Sequence, residues 1–142
     1  MNLTGTWQGQ YVEVGCQSAT CPVCCTSRGK VERRRDLTLV MTQDGSTVAG
    51  RWTEAPVLGQ GTLAGTFSGT VSGTSLTLAG ALFIAGANLP PETLPYRLTD
   101  FTAQTSGPTG PLTGTFQIVA IDTTGRETER LRNDIVALTR VQ

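Results

Sequence analysis

The sequence predicts an all-β protein, a single eight-stranded antiparallel up-and-down barrel, and three observations support this prediction. Apolar residues alternate with threonine and serine, for example along residues 37–42 and 62–71, which is typical of half-buried antiparallel strands. Glycine-containing turn sequences fall between the alternating segments, as they do in β-hairpins. The 142 residues include 24 threonines and 17 glycines, which favour strands and disfavour helices.

The strands are expected to follow one another at short intervals. We predict them at residues 3–13, 31–43, 47–54, 61–71, 74–84, 94–103, 111–122 and 131–141. The turn sequences between them include Asp44-Gly45-Ser46, Ser72-Gly73 and Thr124-Gly125. Uniformly short connections favour a barrel over the alternative, a β-sandwich with crossing connections.

Alternation supports four of these strands directly. Their apolar positions are Leu37, Leu39 and Met41 in the second strand, Leu63, Phe67 and Val71 in the fourth, Leu76 and Leu78 in the fifth, and Leu112 and Phe116 in the seventh. The last segment is ambiguous, because Leu131, Ile135 and Leu138 recur at helical spacing. We favour a strand there, since β-branched residues gather near its end.

A glycine stands two residues before an aromatic residue at four places in the chain. The motifs are Gly5-Thr6-Trp7, Gly50-Arg51-Trp52, Gly65-Thr66-Phe67 and Gly114-Thr115-Phe116. Positions two apart on a strand share a face, so each aromatic side chain has a gap beside it. Glycine also permits the tight coiling of a closed sheet. We interpret these glycines mainly as shaping the sheet, and as an alternative they leave space for a ligand.

Composition excludes several classes of protein. The chain has no histidine, which excludes serine–histidine and cysteine–histidine hydrolases. Eleven basic and eleven acidic residues cancel, whereas nucleic-acid binders carry a large positive excess. No apolar run approaches the roughly 20 residues of a transmembrane helix. At this length we expect one domain, residues 1–142, with a cysteine-rich loop at about residues 14–30.

The stretch Asn2-Leu3-Thr4-Gly5-Thr6-Trp7 resembles the start of the first strand in the calycins, the superfamily of lipocalins, fatty-acid-binding proteins and avidins. That resemblance implies a barrel in which a basic residue of the last strand packs over the tryptophan. The sequence Leu138-Thr139-Arg140-Val141 resembles that last strand, so Arg140 is expected across Trp7, both in structural roles. Gln8-Gly9-Gln10-Tyr11 replaces the residues with which avidins hold biotin, so biotin binding is not implied.

Four cysteines, Cys16, Cys21, Cys24 and Cys25, lie between the first two predicted strands. We predict two disulfides that brace this loop. A bond between the adjacent Cys24 and Cys25 is disfavoured by geometry, and the two remaining pairings stay open. Disulfides would indicate an oxidising compartment, so we expect a secreted, periplasmic or cell-surface protein. We expect no signal peptide within these residues, and a cytoplasmic location is the alternative.

Two other interpretations of the cysteines are a metal site and a redox-active thiol pair. A metal site is less favoured, because only Cys21-Pro22-Val23-Cys24 has the Cys-x-x-Cys spacing, although Cys-x4-Cys-x2-Cys matches part of a plant-type iron–sulfur motif. Thiol redox chemistry at Cys21 and Cys24 is disfavoured, because a loop between strands offers no helix N-terminus to lower a thiol pKa. We therefore expect no metal and no cofactor.

Basic residues cluster immediately after the cysteines. The phase of Leu37 and Leu39 places Arg33 and Arg35 on the inner face at one end of the barrel. Two arginines at the rim of an apolar cup would pair with a carboxylate or phosphate head group. The alternative is that they are solvated charges that protect a strand end.

The leading functional prediction is a non-enzymatic barrel that holds a small apolar or amphipathic ligand. The predicted ligand-binding residues are Arg33, Arg35, Leu39, Met41, Trp52, Phe67, Leu78 and Phe116. The alternative is a structural or interaction module, an inhibitor or assembly subunit, with a solid barrel that docks a protein partner through the cysteine loop. No catalytic constellation was found, and nucleic acid is not expected as a partner.

Overall fold

Eight antiparallel strands form one closed barrel in the computed structural model of the chain, which describes residues 2–18, 34–56, 62–85, 96–107 and 109–141. The strands are β1 (Gly5–Ser18), β2 (Arg34–Asp44), β3 (Thr47–Glu54), β4 (Thr62–Ser72), β5 (Ser75–Ala85), β6 (Tyr96–Thr105), β7 (Leu112–Ile121) and β8 (Glu127–Val141). Each strand pairs with the next, and β8 pairs with β1 to close the sheet. The predicted fold class and the up-and-down order are confirmed, and the described residues contain no helix.

The structure of the last strand explains why its apolar residues recur at helical spacing in the sequence. β8 begins at Glu127, four residues before the predicted start, and its buried positions alternate through Leu131 and Ile135. A shift in the pairing with β7 then moves the next buried position to Leu138. The helical spacing in the sequence therefore arises from strand alternation interrupted by a bulge.

The two ends of the barrel differ. At one end, here called the base, β2 turns into β3 through Gly45 (φ 62°) and β4 into β5 through Gly73 (φ 59°). A positive φ at the first turn residue matches a type II′ hairpin, which suits the twist of the strands. At the opposite end, the mouth, β1 leads to β2, β3 to β4, β5 to β6 and β7 to β8. Only the last of these connections is described in full.

Several glycines lie too close to a neighbouring strand to carry a side chain. A Cβ on Gly65 would stand 2.1 Å from the carbonyl oxygen of Ala81, and one on Gly114 would stand 1.9 Å from that of Thr102. At Gly50 it would meet the ring of Phe67, 2.8 Å away, as well as the Val40 carbonyl. These glycines therefore shape the sheet, and the gap beside Gly50 is filled by an aromatic ring.

Candidate functional site

A layer of four aromatic side chains, Tyr11, Trp52, Phe101 and Phe116, fills the middle of the barrel. Ring centroids lie 4.9 Å apart for Tyr11 and Phe116, 5.1 Å for Trp52 and Phe116, and 5.7 Å for Phe101 and Phe116. The first two contacts are edge-to-face, a geometry that aromatic quadrupoles favour. All four side chains are almost completely buried. This aromatic layer divides the interior into a base half and a mouth half.

The base half is mainly apolar, with the buried Thr105 as a polar exception. Its buried side chains include Leu3, Trp7, Met41, Val48, Leu76, Leu78, Ala103, Leu112 and Leu138. The Trp7 indole donates a hydrogen bond to the carbonyl of Leu3 at 2.9 Å. Outside it, the Arg140 guanidinium carbon lies 4.9 Å from the centre of the Trp7 ring, and Arg140 donates to the carbonyl oxygens of Thr4 (2.6 Å) and Asn2. The expected position of Arg140 across Trp7 is observed.

The mouth half combines apolar side chains with buried polar ones. Arg35 (4% exposed), Tyr96 (6%), Glu129 (8%) and Asn133 (2%) all belong to the buried set, and each occupies a buried position of its strand's alternation. Polar groups are rarely buried without a partner. Arg35, Tyr96 and Glu129 lie near the mouth ends of their strands, and Asn133 pairs with Phe116 of the aromatic layer. Two buried charges at one end mark this half of the barrel as the candidate site.

Glu54 organises the floor of the mouth half. Its Oε2 accepts hydrogen bonds from the Tyr11 hydroxyl and from the Trp52 indole nitrogen, the latter at 3.3 Å. Its Oε1 accepts the backbone N–H of Leu63 at 2.9 Å. The carboxylate lies at the end of β3, in phase with Trp52, and thereby fixes the orientation of two rings of the aromatic layer.

Arg35 enters the same space from β2. It pairs in register with Tyr11, while its neighbour on the inner face, Leu37, pairs with Glu54. The predicted inner-face position of Arg35 is observed, and Arg35 already has an interaction partner. Arg33, the other predicted head-group ligand, lies outside the described residues.

The opposite side of the mouth is formed by β8 and the end of β1. Cys16 lies within β1, which extends five residues beyond its predicted end, and it packs partly buried against the core. Its Sγ is 3.7 Å from Oε1 of Glu129. Cys16 is not a free cysteine. Its predicted disulfide partners, Cys21, Cys24 and Cys25, lie outside the described residues, so the pairing stays a prediction.

The predicted apolar lining residues are all buried, but they do not line one chamber. Trp52 and Phe116 belong to the aromatic layer, whereas Leu39, Met41, Phe67 and Leu78 lie level with it or on its base side. Glu54, Glu129 and Asn133 were not anticipated. Their signal was present in the sequence, since Glu54 is in phase with Trp52, and Glu129 and Asn133 are in phase with Leu131.

The charged groups with perturbed pKa values lie outside the barrel interior. The Thr124 hydroxyl and the backbone N–H of Arg126 donate to Asp122 and lower the pKa of its carboxyl. A hydrogen bond from Arg130 lowers the pKa of Glu127, and the same contact raises the pKa of the Arg130 guanidinium. These groups stabilise the β7–β8 turn and the outer face next to it.

Three grooves also lie on the outer wall. Their volumes are about 360, 260 and 550 Å³. The largest is lined mainly by threonine, serine and small residues of β2, β3 and β4. Within the described ranges, no group of three or more cysteine, aspartate or glutamate side chains has the arrangement of a metal site.

A closed eight-stranded antiparallel barrel with an apolar base and a polar mouth is compatible with a calycin-like architecture. Comparisons with protein-family models, with curated proteins and with solved structures found no match. Within the described residues, the structure contains no helix long and apolar enough to cross a membrane.

Proposed function

We propose that the protein is a non-enzymatic, calycin-like binding barrel that holds a small amphipathic molecule in its mouth half. One observation carries this proposal: the two buried charged side chains, Arg35 and Glu129, lie near the mouth ends of their strands, while the buried side chains toward the base are almost all apolar. A ligand site is expected to be a largely apolar concavity with a few convergent polar groups. The mouth half has that composition.

The aromatic layer sets the depth of the proposed site. Trp52 and Tyr11 pack edge-to-face on Phe116 in the middle of the barrel, and we expect these rings to block a chain-like ligand along the barrel axis. The ligand would instead rest its apolar part on these rings, which Glu54 holds in place. Preoriented rings reduce the entropy that is lost on binding.

Further parts of the proposal concern the cysteine loop. Two disulfides within residues 16–25 would brace the connection above the site and would suit an oxidising compartment.

The interlocked aromatic layer also favours a second candidate function. A barrel with a solid centre is what an interaction module requires if its loops, rather than its interior, contact a partner.

A binding assay with a neutral fluorescent probe, N-phenyl-1-naphthylamine, tests the proposal. In a Trp7→Phe variant, Trp52 is the one remaining tryptophan, so saturable energy transfer to the probe reports binding near the aromatic layer. Ala120→Phe replaces a small, partly buried side chain of the mouth half by a phenyl ring. This ring should fill the site and abolish the energy transfer. Ala49→Phe, on the exposed face of β3, is the matched control and should retain it.

The two candidate functions predict different results. One saturable site that Ala120→Phe removes supports the binding barrel, provided that circular dichroism shows both variants folded. Absence of saturable transfer, or equal transfer in both phenylalanine variants, overturns it and favours the interaction module. Native mass spectrometry of freshly purified protein adds a second measurement, because a captured ligand appears as extra mass that is lost on unfolding.

A further inference from the structure

We propose that the ligand carries a protonated amine or a related cationic group, which binds to Glu129. This inference rests on the proposed function, because it assigns the polar end of the molecule held in the mouth half. It depends on Glu129, a charged side chain of the mouth half. Among the described residues, the one polar contact of Glu129 is with the sulfur of Cys16.

Glu129 is a buried carboxylate with a poor environment. It is 8% exposed, and its neighbours in register are Ser18 of β1 and Ala120 of β7. Within the described part of the chain, its one polar contact is the Sγ of Cys16, at 3.7 Å. Since Cys16 is not a free cysteine, that sulfur supplies no ordinary thiol proton. A buried carboxylate without donors is costly.

The position of Glu129 points the carboxylate toward the proposed site. Along β8 the buried residues Glu129, Leu131, Asn133 and Ile135 alternate with more exposed ones, so Glu129 belongs to the inner face. Asn133 lies on the same face about 13 Å further along the strand. Its Nδ2 donates to the carbonyl of Leu131 at 3.2 Å, and its Oδ1 accepts no hydrogen bond from any described residue. The inner face of β8 therefore presents Glu129 as an acceptor near the mouth and Asn133 at the level of Phe116 in the aromatic layer.

The other charges of the mouth half are already engaged. Glu54 accepts hydrogen bonds from Tyr11, Trp52 and the backbone of Leu63. Arg35 also has a partner, although its Nη1 is buried without a hydrogen bond. Glu129 is therefore the carboxylate of this half that lacks nitrogen or oxygen donors among the described residues, and its negative charge is the one that we propose the ligand matches. An ammonium group provides three donors and the opposite charge.

Three probes with one carbon skeleton separate the alternatives: 3-phenylpropylamine, 3-phenylpropanol and 3-phenylpropanoate. Their phenyl ring suits the aromatic layer, and only the polar group differs. Isothermal titration calorimetry at pH 7 gives the affinity of each probe, and quenching of Trp52 in the Trp7→Phe background reports where it binds. We expect the amine to bind at least about tenfold more tightly than the alcohol, as for a charge-assisted hydrogen bond.

Two variants on the same strand provide the test and its control. Glu129→Gln keeps the shape of the side chain and removes the charge, and it should reduce the affinity for the amine to that for the alcohol. Asp134→Asn removes a carboxylate from the exposed face of β8 and should leave all three affinities unchanged. If Glu129→Gln does not fold, Glu129→Asp keeps the charge and should keep the preference for the amine in reduced form.

The remaining outcomes separate this inference from the proposed function. Equal binding of the amine and the alcohol, unaffected by Glu129→Gln, overturns the cationic ligand and leaves the binding barrel standing. Tightest binding of the carboxylate also overturns it and supports the anionic head group predicted for Arg35. If none of the three probes binds, both the inference and the binding barrel are contradicted.

Discussion

The guanidinium of Arg140 lies over the indole ring of Trp7, 4.9 Å from its centre, so the end of β8 covers the beginning of β1 at the base. Arg140 also donates to backbone carbonyls of residues 2 and 4. One side chain thus connects the two strands that close the barrel and covers the base on the outside, while Trp7 fills it on the inside.

Trp7→Ala is expected to destabilise the fold by about 3–5 kcal/mol, because a large buried side chain is removed and a cavity remains. Arg140→Ala should cost about 1 kcal/mol, the range of an exposed cation–π contact. Urea unfolding followed by circular dichroism measures both. Val141→Ala, on the exposed end of β8, is the control. A loss below about 1 kcal/mol for Trp7→Ala would contradict the role of Trp7 at the base.

Gly65→Ala is expected to destabilise the protein by more than about 3 kcal/mol, because its Cβ would stand 2.1 Å from the backbone of β5 and the strands would have to separate. Gly107→Ala is the matched control, since a Cβ there meets no atom within 4 Å. Its effect should remain below about 1 kcal/mol. Chemical unfolding of the two variants side by side measures the difference. Equal stabilities would show that close strand approach does not explain the glycine motifs.

Tyr11→Phe is expected to lower the free energy of unfolding by about 1.5–3 kcal/mol, because it removes a hydrogen bond to the Glu54 carboxylate and leaves the ring packing intact. Thr66→Val, on the exposed face of β4, should change it by less than about 0.5 kcal/mol. Tyr11→Phe should also broaden the near-ultraviolet circular dichroism bands of Trp52, since Glu54 would lose one of the hydrogen bonds that hold it in place. An unchanged unfolding midpoint of Tyr11→Phe in urea would argue against a stabilising hydrogen bond between Tyr11 and Glu54.

Asp122 should make stability fall with decreasing pH. Its pKa is lowered in the folded state from an ordinary value of 3.8 by hydrogen bonds from Thr124 and Arg126. A group with a depressed folded pKa stabilises fully above the unfolded value, and this contribution is lost as pH falls from there through the lower folded pKa. We therefore expect Asp122→Asn to be less stable than the natural chain at pH 7, with the difference shrinking as the pH falls below 3.8 and through the lowered pKa of the folded state.

The measurement is a series of urea unfolding curves between pH 7 and pH 2.5 for the natural chain and Asp122→Asn. Asp44→Asn, in the β2–β3 hairpin at the other end of the barrel, is the control. A difference between the natural chain and Asp122→Asn that stays constant across this range would exclude the titration of Asp122 as its cause.

Replacement of Cys16, Cys21, Cys24 and Cys25 by serine should lower the free energy of unfolding by no more than about 3 kcal/mol, because disulfides within so short a segment close small loops. Denaturing mass spectrometry of protein purified without reductant should show a mass four hydrogens below that of the reduced chain. Complete loss of folding in the serine variant would instead indicate that metal or long-range bridging holds the chain together.

The strand pattern was accessible from the sequence because it depends on local chemistry. Alternation of apolar residues with threonine placed strands close to their observed bounds, and β3 matches its prediction at residues 47–54. Glycine at positions 45 and 73 marked the hairpins, since a positive φ is cheap only there. The early start of β8 was missed because Glu129 is charged and lies next to a turn, although it follows the buried phase of that strand.

What the sequence by itself determined was the class of fold, the inward phase of the four strands with clear alternation, and, through a family resemblance, the position of Arg140 over Trp7. The tertiary structure alone decided which inward residues meet. Strand register and bulges set the height of each side chain in the barrel, and alternation does not encode either. Hence only the closed sheet shows that Trp52 and Phe116 contact in one layer, and that Glu54 and Glu129 lie on the same side of it as Arg35.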